Sequence, residues 1–366
     1  MRKFLFATML LLCSLVIFSD NAKAAEKKSG KYRYLVLDQR KRTAAITHVS
    51  NPGATVIIPK RIKGYTVVQV GGGDKSSINY CIFADKDTGK IKQIFLPDTV
   101  RKISKMALMD CGKLKKIDLP KELRSIEAYA LEDCHKIKKV VLPKKLKYIG
   151  KGAFQSCYNL EKVVFKTNQA KIGEYAFCTG STHSSDETKS HLKKVEFPVT
   201  YKGKIMDGAF CSFIGTEFTW VNFTSDYNGK FLWGVTSLKK IKVHPKARKA
   251  EIPRNCLDGC ARQVEIVVPK NVESVHIWQQ CYNIKQITIY GMDTTLKGDY
   301  FMGKYHEDIM ISVETVKCKR KSVAWEMASQ YICPDFTNVD WENFTEESID
   351  YNENNIEFKQ VKLIRL

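Results

Sequence analysis

Three consecutive stretches of the chain repeat one pattern and decide its fold. They read IKQIFLPDTVRKISKMALMDCGK from Ile91, LKKIDLPKELRSIEAYALEDCHK from Leu114 and IKKVVLPKKLKYIGKGAFQSCYN from Ile137. Each stretch is 23 residues long. If the first residue is position 0, apolar residues recur at positions 0, 3, 5, 9, 12, 16 and 17, with proline at 6 and cysteine at 20. Because a fixed period of roughly 20–50 residues is the signature of repeat architectures, the pattern predicts a solenoid.

The repeat continues in degraded form on both sides of these three units. Upstream, the stretch VIIPKRIKGYTVVQVG from Val56 fits the same frame. Downstream, further units are predicted to begin at Leu160, Leu192, Phe218, Leu238, Gln263 and Ile284. Apolar residues at positions 0, 3 and 5 are typical of a short strand that faces a shared core, and proline ends that strand because it cannot donate to a sheet. One unit cannot bury its own apolar face, so about ten coils are expected to stack.

The repeat resembles the BspA-like leucine-rich repeat family of bacterial surface proteins, whose hallmark is L-x-x-I-x-L-P-x-x-L-x-x-I-x-x-x-A-F-x-x-C. The resemblance covers residues 32–331. It implies a leucine-rich-repeat solenoid, an α/β-type superhelix with short parallel strands on the concave face and turns and short helical or 3-10 segments on the convex side. The expected organisation is a signal peptide over 1–24, an N-terminal cap over 25–52, repeats over 53–292, a C-terminal cap over 293–333 and an acidic tail over 334–366.

The N-terminus and the composition indicate an exported, basic protein. A basic start (MRK), an apolar run from Phe4 to Phe18 and small residues at Ala22 and Ala24 are typical of a secretory signal peptide, with cleavage expected after Ala24. An uncleaved membrane anchor is the alternative interpretation of the apolar run. Of 366 residues, 60 are Lys or Arg and 39 are Asp or Glu, which gives a net charge of +21, and 44% are hydrophobic. This composition excludes a disordered chain, and a secreted or cell-surface location is expected.

Cysteines at one repeat position are predicted to be structural. Cys111, Cys134 and Cys157 occupy position 20 beside apolar residues, where cysteine behaves as a small buried hydrophobe. They are therefore expected to form a reduced ladder through the core. Two pairs outside the ladder are the candidates for disulfides, namely Cys256 with Cys260 and Cys318 with Cys333.

No catalytic, metal or cofactor site is predicted. The seven histidines match no triad and no metal-ligand spacing, and two C-x-x-C-like pairs at the spacing of a zinc site do not occur. The glycine-rich stretch from Val70 to Ser76 lacks the spacing of a phosphate-binding loop. A non-enzymatic binding protein is therefore expected.

A run of lysines on the strands is the candidate binding surface, expected on the concave face. Like charges on neighbouring strands repel, and an anionic partner would relieve that cost. Trp220 is expected to point outward between Lys194 and Lys240, with Asn222 alongside, as an aromatic plate for stacking on a sugar. The alternative is that Trp220 is a core residue in a coil whose register has slipped. The candidate ligand-binding residues are Lys115, Lys116, Lys138, Lys139, Lys162, Lys193, Lys194, Trp220, Asn222, Lys239, Lys240 and Lys242.

The resemblance and the charge leave two functional hypotheses. The first is adhesion or protein and glycan recognition at the bacterial surface, with a host matrix protein or an acidic glycan as the partner. The alternative is a structural envelope protein held on the cell's own anionic wall polymer. The alternative interpretation of the lysines is that they keep the solenoid soluble and bind no ligand. Specific nucleic-acid recognition is disfavoured because base reading prefers arginine. The acidic tail is a candidate to fold onto the basic body.

Overall fold

A computed structural model of the chain describes residues 25–72, 81–180, 190–221, 224–225, 229–252, 256–257, 259–260, 264–277, 284–297, 313–318 and 362–365. In this part of the chain the protein is a β-solenoid of about nine turns with almost no helix. The solenoid predicted from the 23-residue period is confirmed, with about nine turns where about ten were expected. Signal peptide residues 1–24 lie outside the described residues.

Most turns of the solenoid contain two short strands. The first strands cover about positions 2–5 of the repeat, and they form three separate sheets of parallel strands. One sheet contains β4 (Thr55–Ile57), β7 (Gln93–Phe95) and β9 (Lys116–Asp118), and the next contains β11 (Lys139–Leu142), β13 (Lys162–Phe165) and β15 (Lys194–Glu196). The third contains β17 (Glu217–Trp220), β19 (Lys240–Val243), β21 (Val264–Val268), β23 (Ile284–Ile289), β25 (Val313–Cys318) and β26 (Lys362–Arg365).

The second strands of the turns are mostly two residues long and continue a sheet that starts in the N-terminal cap. This 11-stranded sheet contains β1 (Lys27–Ser29), β2 (Tyr32–Asp38), β3 (Thr43–Val49), β5 (Arg61–Ile62), β6 (Tyr65–Val70), β8 (Lys102–Ile103), β10 (Ser125–Ile126), β12 (Tyr148–Ile149), β14 (Lys171–Ile172), β16 (Lys204–Ile205) and β18 (Thr224–Ser225). A separate three-stranded sheet contains β20 (Lys249–Ile252), β22 (Ser274–Ile277) and β24 (Thr295–Lys297). Strands β1 to β3 pair antiparallel, and β3 then pairs parallel with β6, so the cap covers the first edge of the solenoid.

One apolar core runs through the stacked turns, formed by the inward-facing repeat positions. Phe154 and Phe177 occupy position 17 of two successive turns, and Phe210 is their equivalent one residue later in the next turn. The three rings stack with centroids 5.2 and 5.3 Å apart. Burial of apolar side chains from every turn in one cluster is what stabilises a solenoid, because each turn contacts only its neighbours.

The three cysteines of the predicted ladder lie in the core. Cys111, Cys134 and Cys157 are fully buried and are not in disulfides. The Cys134 thiol donates to the Leu108 carbonyl at 3.3 Å, and the Cys157 thiol donates to the Leu131 carbonyl at 3.2 Å.

The candidate disulfide between Cys256 and Cys260 is not formed. Cys256 and Cys260 are buried thiols, and Cys260 donates to the carbonyl of Leu232 at 3.2 Å. Cys318 is also buried as a thiol, and its candidate partner, Cys333, lies outside the described residues.

The expected short helical segments after the second strands are replaced by turns. Among the described residues the only α-helix is α1 (Asp85–Thr88), between β6 and β7. The turns that start at Ile91, Leu114 and Ile137 instead bend at two left-handed residues each, which interrupt a right-handed helix. The left-handed residues at position 15 are Met106, Tyr129, Gly152 and Tyr175, with Gly208 at the equivalent place in the turn from Leu192, and those at position 19 are Asp110, Asp133 and Ser156, with φ between 53° and 62°.

The unit predicted to start at Phe218 is out of register by three residues. Phe218 pairs with Ile241 at position 3 and Trp220 pairs with Val243 at position 5, so the unit starts at Gly215. Gly215 replaces the usual Leu or Ile, and a Cβ there would collide with the Phe213 ring, which fills that part of the core. The prediction that Trp220 points outward is therefore wrong, because position 5 faces the core.

The C-terminal part extends the solenoid. Strand β25, within the predicted C-terminal cap, pairs parallel with β23 and continues its sheet past residue 292. Strand β26, at the end of the predicted acidic tail, pairs parallel with β25. The last residues of the tail are thus part of the sheet; residues 319–361 lie outside the described residues.

Candidate ligand-binding face

The predicted lysines lie on one surface, the first-strand face, which is formed by the outward positions 1, 2 and 4 of each turn. Alternation places these side chains outside while positions 3 and 5 enter the core. Lys116, Lys139, Lys162, Lys194 and Lys240 occupy position 2, and Lys242 occupies position 4. Lys115, Lys138, Lys193 and Lys239 precede these strands at position 1.

Three of these lysines are brought side by side by strand pairing. Lys139 is opposite Lys162, and Lys162 is opposite Lys194, on the adjacent strands β11, β13 and β15. Sheet hydrogen bonding does not connect β9 with β11 or β15 with β17, so Lys115 and Lys116 belong to a separate sheet from this group. The predicted continuous ladder is therefore divided into segments.

Acidic side chains on the same face neutralise many of the lysines. Glu196 forms ion pairs with Lys162 at 2.7 Å and with Lys194 at 3.1 Å. The hydrogen bond from Lys162, followed by that from Lys194, lowers the pKa of Glu196. The remaining ion pairs of the face are Lys116–Asp118 at 3.0 Å, Lys138–Glu161 at 3.4 Å, Lys242–Glu217 at 2.7 Å and Lys240–Glu265 at 2.9 Å.

Glu217 interrupts the lysines where the predicted register was wrong. Position 2 of this turn is Glu217, which lies opposite Lys240, and on its other side Lys240 lies opposite Glu265. The hydrogen bond to Glu265 raises the pKa of Lys240. Opposite charges therefore alternate across these three strands, which stabilises neighbouring strands.

Four predicted lysines keep their charge uncompensated. Among the residues that the structure describes, Lys115, Lys139, Lys193 and Lys239 are exposed and form no ion pair. We call them the unpaired lysines. They lie on four different turns of the solenoid, so they form a spaced row of positive charge.

The aromatic part of the predicted site is not on this face. Trp220 is fully buried, with its ring centroid 5.6 Å from that of Phe231 and 6.4 Å from that of Phe218. It cannot stack on a ligand without unfolding of its turn. Asn222 lies outside the described residues.

A second row of cations, which the sequence reasoning missed, lies next to the second strands. Arg101, Arg124 and Lys147 are exposed at position 10 of three successive turns, connected by backbone hydrogen bonds of 2.8 Å from Arg124 to Arg101 and from Lys147 to Arg124. The Tyr148 side chain beside them is 39% exposed. The sequence signal for this row is the recurrence of Arg, Arg and Lys at position 10 of three successive units.

The described residues contain neither a cluster of metal-ligating side chains nor a membrane-spanning helix. No group of three or more His, Cys, Asp or Glu side chains in this part of the chain could hold a metal ion. None of its helices has the length and hydropathy needed to span a bilayer.

Solved structures with a similar chain come from several bacteria. A leucine-rich repeat protein of T. pallidum is 27% identical, with 57% of this chain and 90% of that chain covered and a TM-score of 0.41. A leucine-rich cell surface protein of Faecalibacterium prausnitzii A2-165 is 16% identical, with 80% and 82% covered and a TM-score of 0.44. The pneumococcal vaccine antigen PcpA is 15% identical, with 94% and 99% covered and a TM-score of 0.39.

The family comparison extends over most of the repeats. No protein with a curated description matches the chain. The family model described as the BspA type leucine-rich repeat region matches six copies over residues 76–185 and 185–308. These matches cover more than half of the chain and include the turns that carry the first-strand face. The chain therefore belongs to the BspA type leucine-rich repeat family.

Proposed function

We propose that this protein is an exported, non-enzymatic scaffold of the bacterial surface that binds an acidic glycan through the unpaired lysines of the first-strand face. The family and the signal-peptide pattern of residues 1–24 support the location, and one protein of similar structure is named as a cell surface protein. The repeated, rigid strands support a binding role, since solenoids present extended surfaces to their ligands.

The observation that carries the proposal is the set of four unpaired lysines. An ion-paired lysine such as Lys162 must break its ion pair with an acidic side chain before it binds a ligand. An exposed lysine with no acidic partner binds an anion without breaking an ion pair. Neighbouring strands lie about 4.8 Å apart, so the unpaired lysines, on four turns of one stack, are spaced along its axis, as the charges of a linear polyanion are. The chemistry favours multivalent anionic polymer over a single small ligand.

The test compares two variants that remove the same charge from different places. The chain from residue 25 onward is measured for heparin affinity at physiological salt, with neutral dextran as the negative probe. The face variant carries Lys115→Ser, Lys139→Ser, Lys193→Ser and Lys239→Ser. The control variant replaces four exposed lysines at the N-terminal end of the molecule, with Lys28→Ser, Lys60→Ser, Lys63→Ser and Lys86→Ser.

We expect the face variant to bind heparin at least ~10-fold more weakly than the wild type, and the control variant to bind within about 3-fold of it. The reason is that salt screens the long-range attraction between protein and heparin more than it screens ion pairs in direct contact. Equal weakening of both variants would show that only the net charge matters. A third variant, with Arg101→Ser, Arg124→Ser and Lys147→Ser, locates the site on the second row instead if it alone loses binding.

Salt extraction of intact cells, done beside the affinity measurement, separates the two sources of acidic glycan. Binding to a sulfated or sialylated host glycan predicts saturable affinity that persists at physiological salt. Retention on the producing cell's own wall polymer predicts that the protein is extracted from intact cells by salt, with an extraction midpoint that falls in the face variant. Both sources use the same lysines, so either outcome locates the ligand on the first-strand face.

A further inference from the structure

Two cysteines outside the ladder meet across adjacent turns. Cys178 and Cys211 directly follow the stacked Phe177 and Phe210, and their Sγ atoms lie 2.7 Å apart. Their sequence separation is 33 residues, because a polar insertion that includes residues 181–189 lengthens the turn between them. The 23-residue period therefore does not reveal the pair.

The surrounding structure fixes the two cysteines in this register. The Phe177 and Phe210 rings are stacked 5.3 Å apart and nearly parallel, at 2°. The backbone N–H of Phe177 donates to the carbonyl of Ala209 at 2.9 Å. Residues at the same position of adjacent turns are about 4.8 Å apart, which lies inside the range of Cα separations found in disulfides. Formation of a bond between the two sulfurs thus requires only local side-chain rotation.

The pair differs from the ladder in what its thiols contact. In the ladder, Cys134 and Cys157 are fully buried and donate to backbone carbonyls. In the pair, the Cys211 thiol donates to the Cys178 sulfur, and Ser212 Oγ lies 3.2 Å from Cys178 Sγ. Cys211 is partly exposed, whereas the ladder cysteines are sealed in the core.

The hydrogen bond within the pair also changes its acidity. Donation from Cys211, with a further contribution from Ser212, lowers the pKa of Cys178 to about 7. Burial raises the pKa of the ladder thiols Cys134 and Cys157. Since the thiolate is the reacting form in thiol–disulfide exchange, the pair is the more reactive set near neutral pH.

We infer that Cys178 and Cys211 are an oxidation site that forms a disulfide between two turns, independently of any glycan binding. With a disulfide oxidant such as oxidised glutathione, the thiolate of the pair attacks one glutathione sulfur and releases the other as a thiol. The second cysteine then attacks the protein sulfur of the mixed disulfide and releases the second glutathione. Two protein S–H bonds are lost and one S–S bond forms, and the two electrons and two protons reduce the oxidant to two thiols.

Peptide mapping tests this inference directly. The chain from residue 25 onward, which contains every described residue, is reduced, exchanged into oxidised glutathione, alkylated and digested with trypsin without reduction. Trypsin releases Cys178 in peptide 172–189 and Cys211 in peptide 205–230, each with a single cysteine. The expected product is these two peptides joined, two hydrogen masses lighter than their sum. The ladder provides the internal control, because Cys134 (peptide 125–136) and Cys157 (peptide 152–162) are expected to be recovered as linear, separate peptides.

A single-cysteine variant tests the pairing in a second way. In Cys211→Ser, Cys178 has lost its resolving partner, so we expect a stable mixed disulfide with one glutathione on peptide 172–189. In the wild type this adduct is expected only transiently. Recovery of both wild-type peptides alkylated, or of Cys178 joined to a ladder cysteine, would overturn the inference. Oxidation in urea gives the comparison, because random pairing there shows that the selective product depends on the fold.

Discussion

Aromatic side chains in the middle of the chain hold adjacent turns together at the residue scale. The Trp220 ring contacts those of Phe218 and Phe231, and Phe210 packs between Phe177 and Phe218. Rings in such tilted and stacked arrangements add to the stabilisation that comes from their buried area. Large buried side chains therefore stabilise the region in which the repeat sequence is most degraded.

This packing predicts the effect of removing Trp220. Trp220→Ala leaves a large cavity and is expected to lower the free energy of unfolding by about 3–5 kcal/mol. Trp233→Ala, at a side chain that is 47% exposed, is the matched control and is expected to change it by less than about 1 kcal/mol. Urea denaturation followed by circular dichroism measures both. Unchanged stability in Trp220→Ala would contradict the buried position.

A second residue-scale prediction concerns pH. Burial, and then the charges of Asp133 and Asp110, raise the pKa of Glu132 from 4.5 to about 7. Because the folded-state pKa is the higher one, the contribution of this group to stability is fully present below pH 4.5 and is lost as pH rises towards 7.

The variant Glu132→Gln removes this loss. We expect it to be more stable than the wild type by about 1 kcal/mol at pH 8, allowing for solvent screening, and equal to it at pH 4. The exposed Glu251→Gln is the control, with no change expected at either pH. Denaturation midpoints at both pH values measure the effect, and a destabilised Glu132→Gln at pH 8 would be the contrary result.

At the scale of one element, the turn after each second strand decides how closely the coils stack. Left-handed residues at positions 15 and 19 bend the chain, so a compact turn replaces the helix of other solenoids. Just before the first of these corners, at position 13, the backbones of successive turns approach closely. A Cβ on Gly150 would collide with the backbone of Ala128, and one on Gly173 would lie 2.7 Å from the Gly150 carbonyl carbon.

This approach predicts a strong effect for the smallest possible side chain. Gly150→Ala forces two turns apart, and we expect it to lower the free energy of unfolding by about 1–3 kcal/mol. At Gly89 an added Cβ meets nothing within 4 Å, so Gly89→Ala is expected to be neutral or slightly stabilising. Parallel denaturation curves of the two variants give the answer, and equal stability would refute the close stacking.

The elements also show what the sequence could predict. From Ile91 to Phe165 the apolar frame is intact, and its strands lie where the pattern places them. At Gly215 the usual Leu or Ile of position 0 is missing, and Phe213 fills its place in the core. The predicted register of this turn was therefore wrong, and with it the predicted outward position of Trp220.

The lysines of the site could be predicted, but their acid partners could not. Glu196 reaches Lys162 from the next turn, 34 residues away, and only strand register reveals that contact. The Cys178–Cys211 pair was missed for the same reason, since an insertion disturbs the period between them.

At the scale of the whole molecule, a net charge of +21 does not lie evenly on the surface. On the first-strand face the acids Glu196, Glu217 and Glu265 neutralise neighbouring lysines, and the unpaired lysines remain between them. Exposed ion pairs contribute little to stability, about 0–1 kcal/mol each, so their main effect is to restrict which lysines bind an anion without competition. The proposed function depends on this selection among lysines and not on the total charge.

Lysine footprinting tests this central claim most directly. The chain from residue 25 onward is acetylated briefly with and without saturating heparin, and modification of each lysine is quantified by mass spectrometry. The account predicts the largest protection at Lys115, Lys139, Lys193 and Lys239, with little change at Lys28, Lys60, Lys63 and Lys86. Uniform protection of all exposed lysines, or protection centred on Lys147 and Lys171 beside the second strands, would contradict it.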